Sequence, residues 1–331
     1  MNTFFIFVWI DEGKNIFDVF LLIILYICNM RKLLIILFLA TTPIVGFSQY
    51  LWDFGGHVGA SNYLGEMGGK AGTRKDFVAD MKLSKTQFTM GAFGRYKVNE
   101  YVSLKLGADW VRICGADYLS TNPGRAGRNL SFRDDIFDME LTAQVFFVDV
   151  PDLGHTYRYR NDFRMYAFAG IGGFYYNPKT YYDGSWVALR PLQTEGKHYG
   201  SINASVPLGL GLYFTVDKKH RIGWEFSWRT TFTDYLDDVS TVYADPASLS
   251  SAEAIALANR RGELGNQAGI PDAKNYLPGT KRGDPSHNDT YLTTSINYSY
   301  IIRGRSSFYR SKYGSIFKHK KYKKRKIRAK F

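Results

Sequence analysis

The chain has 331 residues, with 43 Lys or Arg against 30 Asp or Glu and a formal net charge of +13. The whole excess sits in Arg303–Phe331, which holds thirteen basic residues and no acid, so everything before it is charge-balanced. Charge confined to one tail argues against a basic nucleic-acid-binding domain. With only Cys28 and Cys114 available, a disulfide framework and a cysteine zinc site are excluded as well.

Residues 1–29 carry an apolar run from Val19 to Cys28, bounded by Asp18. They read as a preface to a translation start at Met30, the alternative being a longer leader or a membrane anchor. Met30-Arg31-Lys32 is a short positive start, Leu33–Val45 is mainly apolar, and Gly46 and Ser48 place small residues before a cut ahead of Gln49. That order is the n-region, h-region and cleavage site of a secretory signal peptide over 30–48. The apolar run is shorter than the ~20 residues a spanning helix needs.

From Gln49 to Ile302 the pattern changes to a period of two, the signature of strands with two unlike faces. Eight segments are expected, at 50–63, 87–98, 102–115, 132–147, 163–176, 201–216, 221–235 and 290–302. In the third, Val102, Leu104, Leu106, Ala108 and Trp110 oppose Ser103, Lys105, Gly107 and Asp109. The fourth sets Phe137, Met139, Leu141, Ala143, Val145 and Phe147 against Asp138, Glu140, Thr142 and Gln144. The fifth is ambiguous, since Tyr166–Phe174 is apolar or glycine on both faces.

Alternation alone fits a soluble sandwich as well as a membrane barrel, and the connections separate the two. Links of 65–86, 116–131, 177–200 and 236–289 are long, whereas Asn99-Glu100-Tyr101 and Asp217–His220 are short and the link after segment four is about fifteen residues. Strict alternation of long and short links predicts an all-β, eight-stranded, antiparallel up-and-down transmembrane barrel with long external loops and short periplasmic turns. Lipid cannot satisfy an open sheet edge, so such a sheet must close.

An eight-stranded barrel is only wide enough for side chains to fill. The expected inward faces carry Arg95, Lys97, Lys105 and Arg229 against Asp109, Asp138, Glu140 and Glu225, a balanced set that fits a packed ion network rather than an open pore. At the outer rim, Arg133 and the carboxylates Asp234, Asp237 and Asp238 are expected to pair and hold the mouth together; a calcium or lipid-phosphate bridge is the competing reading. In the last loop, Ser250–Glu253 opens a short capped helix running to Arg261, with irregular surface beyond it. His57 points inward by alternation. His155, His198, His220, His287 and His319 fall in loops, turns or the tail without a Ser-His-Asp order or HExxH spacing, so no enzyme, metal or cofactor is expected.

Several phrases in consistent order resemble the PorG-type outer-membrane barrel of the type IX secretion and gliding machinery of Bacteroidota. They are Gly94–Lys97 with Val102–Gly107, Asn129–Arg133 with Ile136, Ala167–Tyr175, Pro207–Gly211 and Phe232–Ser240, spanning about 49–302. The resemblance implies an eight-stranded barrel that ties a periplasmic ring of secretion proteins to the outer membrane. The 303–331 tail and the fourth loop have no counterpart in it.

After an even number of strands the tail is expected in the periplasm, where nucleic acid is absent. Its basic run Lys318, Lys320, Lys321, Lys323, Lys324, Arg325 and Lys326 is interleaved with Tyr313, Phe317 and Tyr322. It reads either as a grip on anionic headgroups, peptidoglycan or an acidic partner protein, or as a solvated appendage. An outer-membrane anchor, a small adhesin or pore working through its external loops, and a rim enzyme remain as competing functions, in that order.

Overall fold

A computed structural model describes residues 50–67, 83–150, 162–217, 219–265 and 269–303. The expected signal peptide over 30–48, the preface before it, and the tail run from Lys318 to Lys326 lie outside the described residues.

Alternating side chains of unlike polarity produce strands wherever they were expected. They are β1 (Tyr50–Leu64), β2 (Gln87–Lys97), β3 (Val102–Ala116), β4 (Ser131–Val150), β5 (Asp162–Tyr175), β8 (Ile202–Val216), β9 (His220–Thr231) and β10 (Thr290–Arg303). Each pairs antiparallel with its neighbour along the chain, and β10 returns to β1, with Trp52 opposite Ile302 and Leu64 opposite Thr290. The result is a closed eight-stranded up-and-down barrel. A hairpin inside the third long link, β6 (Lys179–Tyr182) and β7 (Ser185–Ala188), continues the sheet beyond β5 by pairing Lys179 with Arg133 of β4.

The faces sort by alternation. Leu106, Met139, Ile171 and Ile296 are more than half exposed on the outside, whereas Ser103, Lys105, Glu140 and Thr142 are buried inside. The ambiguous β5 resolves with Tyr166, Phe168 and Phe174 inward. Both faces of that strand are apolar because one meets lipid and the other fills the lumen.

Two expectations need correction. The strand expected to run to 235 ends at Thr231, because Phe232–Ser240 leaves the wall and folds over the mouth. Asp289 holds this departure: its backbone N–H donates to Thr233 O at 2.9 Å, and its Oδ2 accepts from the Leu236 N–H at 3.1 Å. Asp238, at φ 66°, completes the turn. Nor is the fourth loop irregular surface beyond its expected helix. It contains the expected helix, α2 (Ala252–Ala258), capped by Ser251 Oγ accepting from the Ala254 N–H at 3.1 Å; α1 (Pro123–Arg128) lies in the second long link. The loop then returns to bury Tyr243, Tyr276 and Arg282.

Candidate functional site

The chemistry of this chain is concentrated along the barrel axis. At mid-height, inward positions of β3, β4 and β9 bring together a charge network centred on Arg229. Its Nη2 donates to Asp109 Oδ2 at 2.6 Å and to Glu140 Oε2 at 3.0 Å, its Nε lies 3.0 Å from Asp138 Oδ2, and its Nη1 donates to Thr293 Oγ1 at 2.7 Å. Lys105 Nζ bonds Glu225 Oε1 at 2.5 Å and approaches Glu140 Oε1 at 3.3 Å, so Glu140 joins the two cations. Tyr166 and Tyr291 donate their hydroxyls to Glu225 and Asp138, and His57 Nε2 lies 3.5 Å from Asp109 Oδ1. Space for these side chains comes from inward glycine: a Cβ on Gly91 would collide with the Asp109 carboxylate and sit 2.7 Å from His57 Cε1.

Towards the turn end the lumen is aromatic. Phe146, Tyr166, Phe168 and Tyr213 form a buried cluster, and the Arg95 guanidinium lies 5.0 Å from the Tyr213 ring and 5.6 Å from that of Tyr166. Below them Asp53 pairs with both Arg95 and Arg221. Rings and carboxylates flanking these guanidiniums offset the cost of burying them.

At the opposite end the loops close the mouth. Tyr63, Val111, Ile113, Phe132, Ile136, Phe174 and Tyr291 from the wall pack against Met67, Leu130, Leu189, Tyr199, Leu236, Val239 and Leu257 from the loops. Above this apolar layer, two arginines tie the loops together. Arg128 grips Asp117 with both Nε and Nη2, at 2.7 and 2.8 Å, and donates Nη1 to Arg282 O. Arg282 in turn donates to Glu195 Oε1 at 2.9 Å and lies 3.7 Å from Asp238 Oδ2. Burial pushes Glu195 up, but Arg282 and the Ser240 N–H outweigh it and hold the carboxyl below its usual range. Asp238 goes the other way: burial lifts it to about 6 against the pull of Arg282 and two hydroxyls. Asp237 is raised well above the usual carboxylate value, first by burial and then by Asp289 and Glu66.

Of the expected lumen residues, Arg95, Lys105, Asp109, Asp138, Glu140, Glu225 and Arg229 are all buried inside the barrel. Lys97 is not. It lies half-buried at the turn end near Arg164 and Asp149, and Arg221 and Asp53 complete the set instead. Both were legible by the same alternation, since Arg221 shares the Glu225 face and Asp53 the His57 face. The expected rim cluster does not form as drawn. Asp237 accepts from Tyr63 and Asp238 from Tyr199, but Arg133 faces outward with its guanidinium 3.8 Å from the Trp186 ring. An even-numbered register puts Phe132, Asp134 and Ile136 inside and therefore Arg133 outside. The arginines that do serve the mouth, Arg128 and Arg282, come from loops, where sequence periodicity carries no signal. Among the described residues no group of three or more potential metal ligands converges.

The outer surface completes the geometry. A band of exposed apolar side chains such as Leu104, Leu141, Val58 and Ile222 is bordered at the turn end by Trp52, Tyr101 and Phe147 and at the loop end by Phe88, Phe137 and Tyr175. Apolar bands between aromatic girdles are the lipid-facing surface of transmembrane barrels. A family profile described as a domain of unknown function, DUF6089, matches residues 31–250. The chain belongs to the DUF6089 family. A comparison with curated proteins returned no match. Among solved structures this DUF6089 barrel is similar to the outer membrane protein OprG of Pseudomonas aeruginosa, at 9% identity over 78% of this chain and 99% of that one, with a TM-score of 0.36. It is similar also to the attachment invasion locus protein Ail of Yersinia pestis (11% identity, 76% and 99% covered, TM-score 0.33). The N-terminal barrel domain of P. aeruginosa OprF gives 9% identity, 77% and 100% coverage, and a TM-score of 0.32.

Proposed function

We propose that this chain is an outer-membrane barrel that serves as an anchor, holding a periplasmic assembly through the segments on its turn side. The observation that carries this reading is the filled lumen: ion network, aromatic cluster and folded loop cap occupy the axis from one end to the other, which favours a structural post over a conduit. The same reading assigns no catalysis to the barrel. Charge adds support. Arg303 ends β10 opposite Tyr50, at the end of the barrel where the short turns lie, and the thirteen basic residues begin there. Opposite charges attract over about 10 Å at 0.1 M salt, so a tail of this density favours an acidic partner, anionic headgroups or peptidoglycan. The resemblance to PorG-type barrels makes a type IX secretion ring the natural partner.

Co-purification from crosslinked outer membranes tests the proposal. Replacing Lys318, Lys320, Lys321, Lys323, Lys324, Arg325 and Lys326 with Gln is expected to release the periplasmic partner while the barrel stays inserted, and to impair cargo secretion or gliding. Retention of partners at the unmodified level, with secretion intact, would remove the tail from the anchoring role.

A further inference from the structure

We propose that the loop-end rim over β3, β4 and the β6–β7 hairpin binds the phosphate groups of an outer-leaflet glycolipid. The proposal rests on the outer-membrane placement above and adds a ligand to it. Along the outward face of β3 the order is Leu104, Leu106, Ala108, Trp110, then Arg112; along β4 it is Leu141, Met139, Phe137, then Asp135 and Arg133. Trp110 pairs in register with Phe137, Arg112 with Asp135, Cys114 with Arg133, and Arg133 with Lys179. The face therefore passes from aliphatic to aromatic to cationic within a few residues, the sequence of chemistries that a leaflet presents from acyl chain to headgroup.

The cations are held ready. Arg112 stands 5.0 Å from the Trp110 ring and uses only Nε on Asp135, at 2.6 Å. The Arg133 guanidinium carbon lies over the Trp186 ring, 3.8 Å from its centroid, and Nε is buried without a hydrogen-bond partner among the described residues. Lys85 joins from the segment before β2, its backbone carbonyl accepting from Cys114 Sγ at 3.4 Å. Lys85, Arg112 and Arg133 thus stand around Cys114, with Asp135 as the carboxylate among them, and Lys179 lies one strand further on, beside Arg133. The patch is one-sided: the same-face positions at the loop ends of β1, β9 and β10 are Asn62, Thr230 and Leu292, all uncharged. Planar guanidinium forks match phosphate oxygens in a bidentate manner, and stacking on a ring fixes the fork beforehand. A phosphate monoester at headgroup depth, attached to acyl chains that run down the apolar face, meets every element of this surface.

The test uses the full chain in phosphatidylcholine vesicles carrying lipid A with both phosphates, or the same lipid A after phosphatase treatment. A further sample in detergent with inorganic phosphate distinguishes free anion from lipid. Heat-modifiable mobility reports insertion separately. Phosphorylated lipid A is expected to be retained in native mass spectra and to slow Cys114 alkylation relative to the dephosphorylated form, whereas inorganic phosphate gives no protection. Each cation near an anionic surface contributes about a fivefold factor, so the R112Q/R133Q/K179Q variant should lose retention by on the order of a hundredfold. Lys97→Gln, at the turn end, should retain the lipid normally, and protection is compared within each variant because the cations also affect the thiol. An inserted barrel that holds both lipid A forms equally, or whose triple variant retains the phosphorylated form, overturns the site. A chain that fails to insert overturns the membrane placement on which it rests.

Discussion

Arg229 is the residue on which the lumen depends most. Its guanidinium pairs with three carboxylates, Asp109, Asp138 and Glu140, all buried inside the barrel between the aromatic cluster and the cap. Removing one partner of a buried pair leaves the other charge uncompensated and costs about 3–5 kcal/mol. Arg229→Met is therefore expected to lower the urea midpoint of the reconstituted barrel, by a shift whose free energy (midpoint shift times m) lies at the upper end of that range. Glu225→Ala strands Lys105 less completely, because Glu140 remains 3.3 Å away, and its loss should lie nearer the lower end, about 3 kcal/mol. An Arg229→Met midpoint equal to that of the unmodified chain would show that the network contributes shape and no stability.

The loop cap behaves as an element of its own, built from four links that share a core and two arginine ties. Leu236 and Leu257 are almost fully buried in it. Truncating such a side chain costs about 2–5 kcal/mol, and because the strands are closed by their own ladders, the loss should fall on the cap. Leu236→Ala is expected to raise hydrogen exchange in 232–243 and 273–283 while the strand amides stay protected. Cap stability should also depend on pH. Asp237 and Asp238 are raised above the unfolded carboxylate value, Asp238 to about 6. Their folded forms therefore hold protons that the open forms release. The stabilisation is fully present below about pH 4 and is lost as pH rises through the folded values, the Asp238 share by about 6. Glu195, shifted down by Arg282, acts oppositely and weakens the cap only as acid protonates it. Exchange at Leu236–Ser240 is expected to quicken between pH 4 and 7 after correction for intrinsic rates, and Asp237→Asn should flatten that dependence. A flat profile in the unmodified chain would sink the assignment.

At the scale of the whole molecule, a closed wall with a filled axis makes two expectations. Planar bilayers containing the purified barrel should show no stable ion conductance, and a reproducible open channel would mean that the cap and network move aside together. Because β1 and β10 meet at Tyr50 and Arg303 on the turn side, an epitope inserted at Gly269 should be accessible on intact cells. One placed after Lys330 should be reached only after the membrane is permeabilised, and surface labelling of that epitope on intact cells would invert the topology.

The barrel wall was legible in the sequence because a strand in a lipid-facing sheet has an exact period of two and a strong contrast between its faces. Leu104 and Lys105, or Met139 and Glu140, declare their sides without reference to any distant residue. The alternating link lengths then fixed the up-and-down order. By itself the sequence also assigned seven of the inward charges, since sidedness follows from register. Partner choice was beyond its reach: Glu225 meets Lys105 from β3, 120 positions earlier, and not Arg229 on its own strand, because lumen contacts cross the barrel. The mouth was further still from reach. Whether Phe232–Ser240 extends the wall or turns inward depends on Asp289, Tyr63 and Arg282, residues brought together by loops that have no periodicity. The side-chain contrast that writes a strand into sequence is local, whereas a cap is held by contacts whose only common property is that the closed wall has already gathered them at one end.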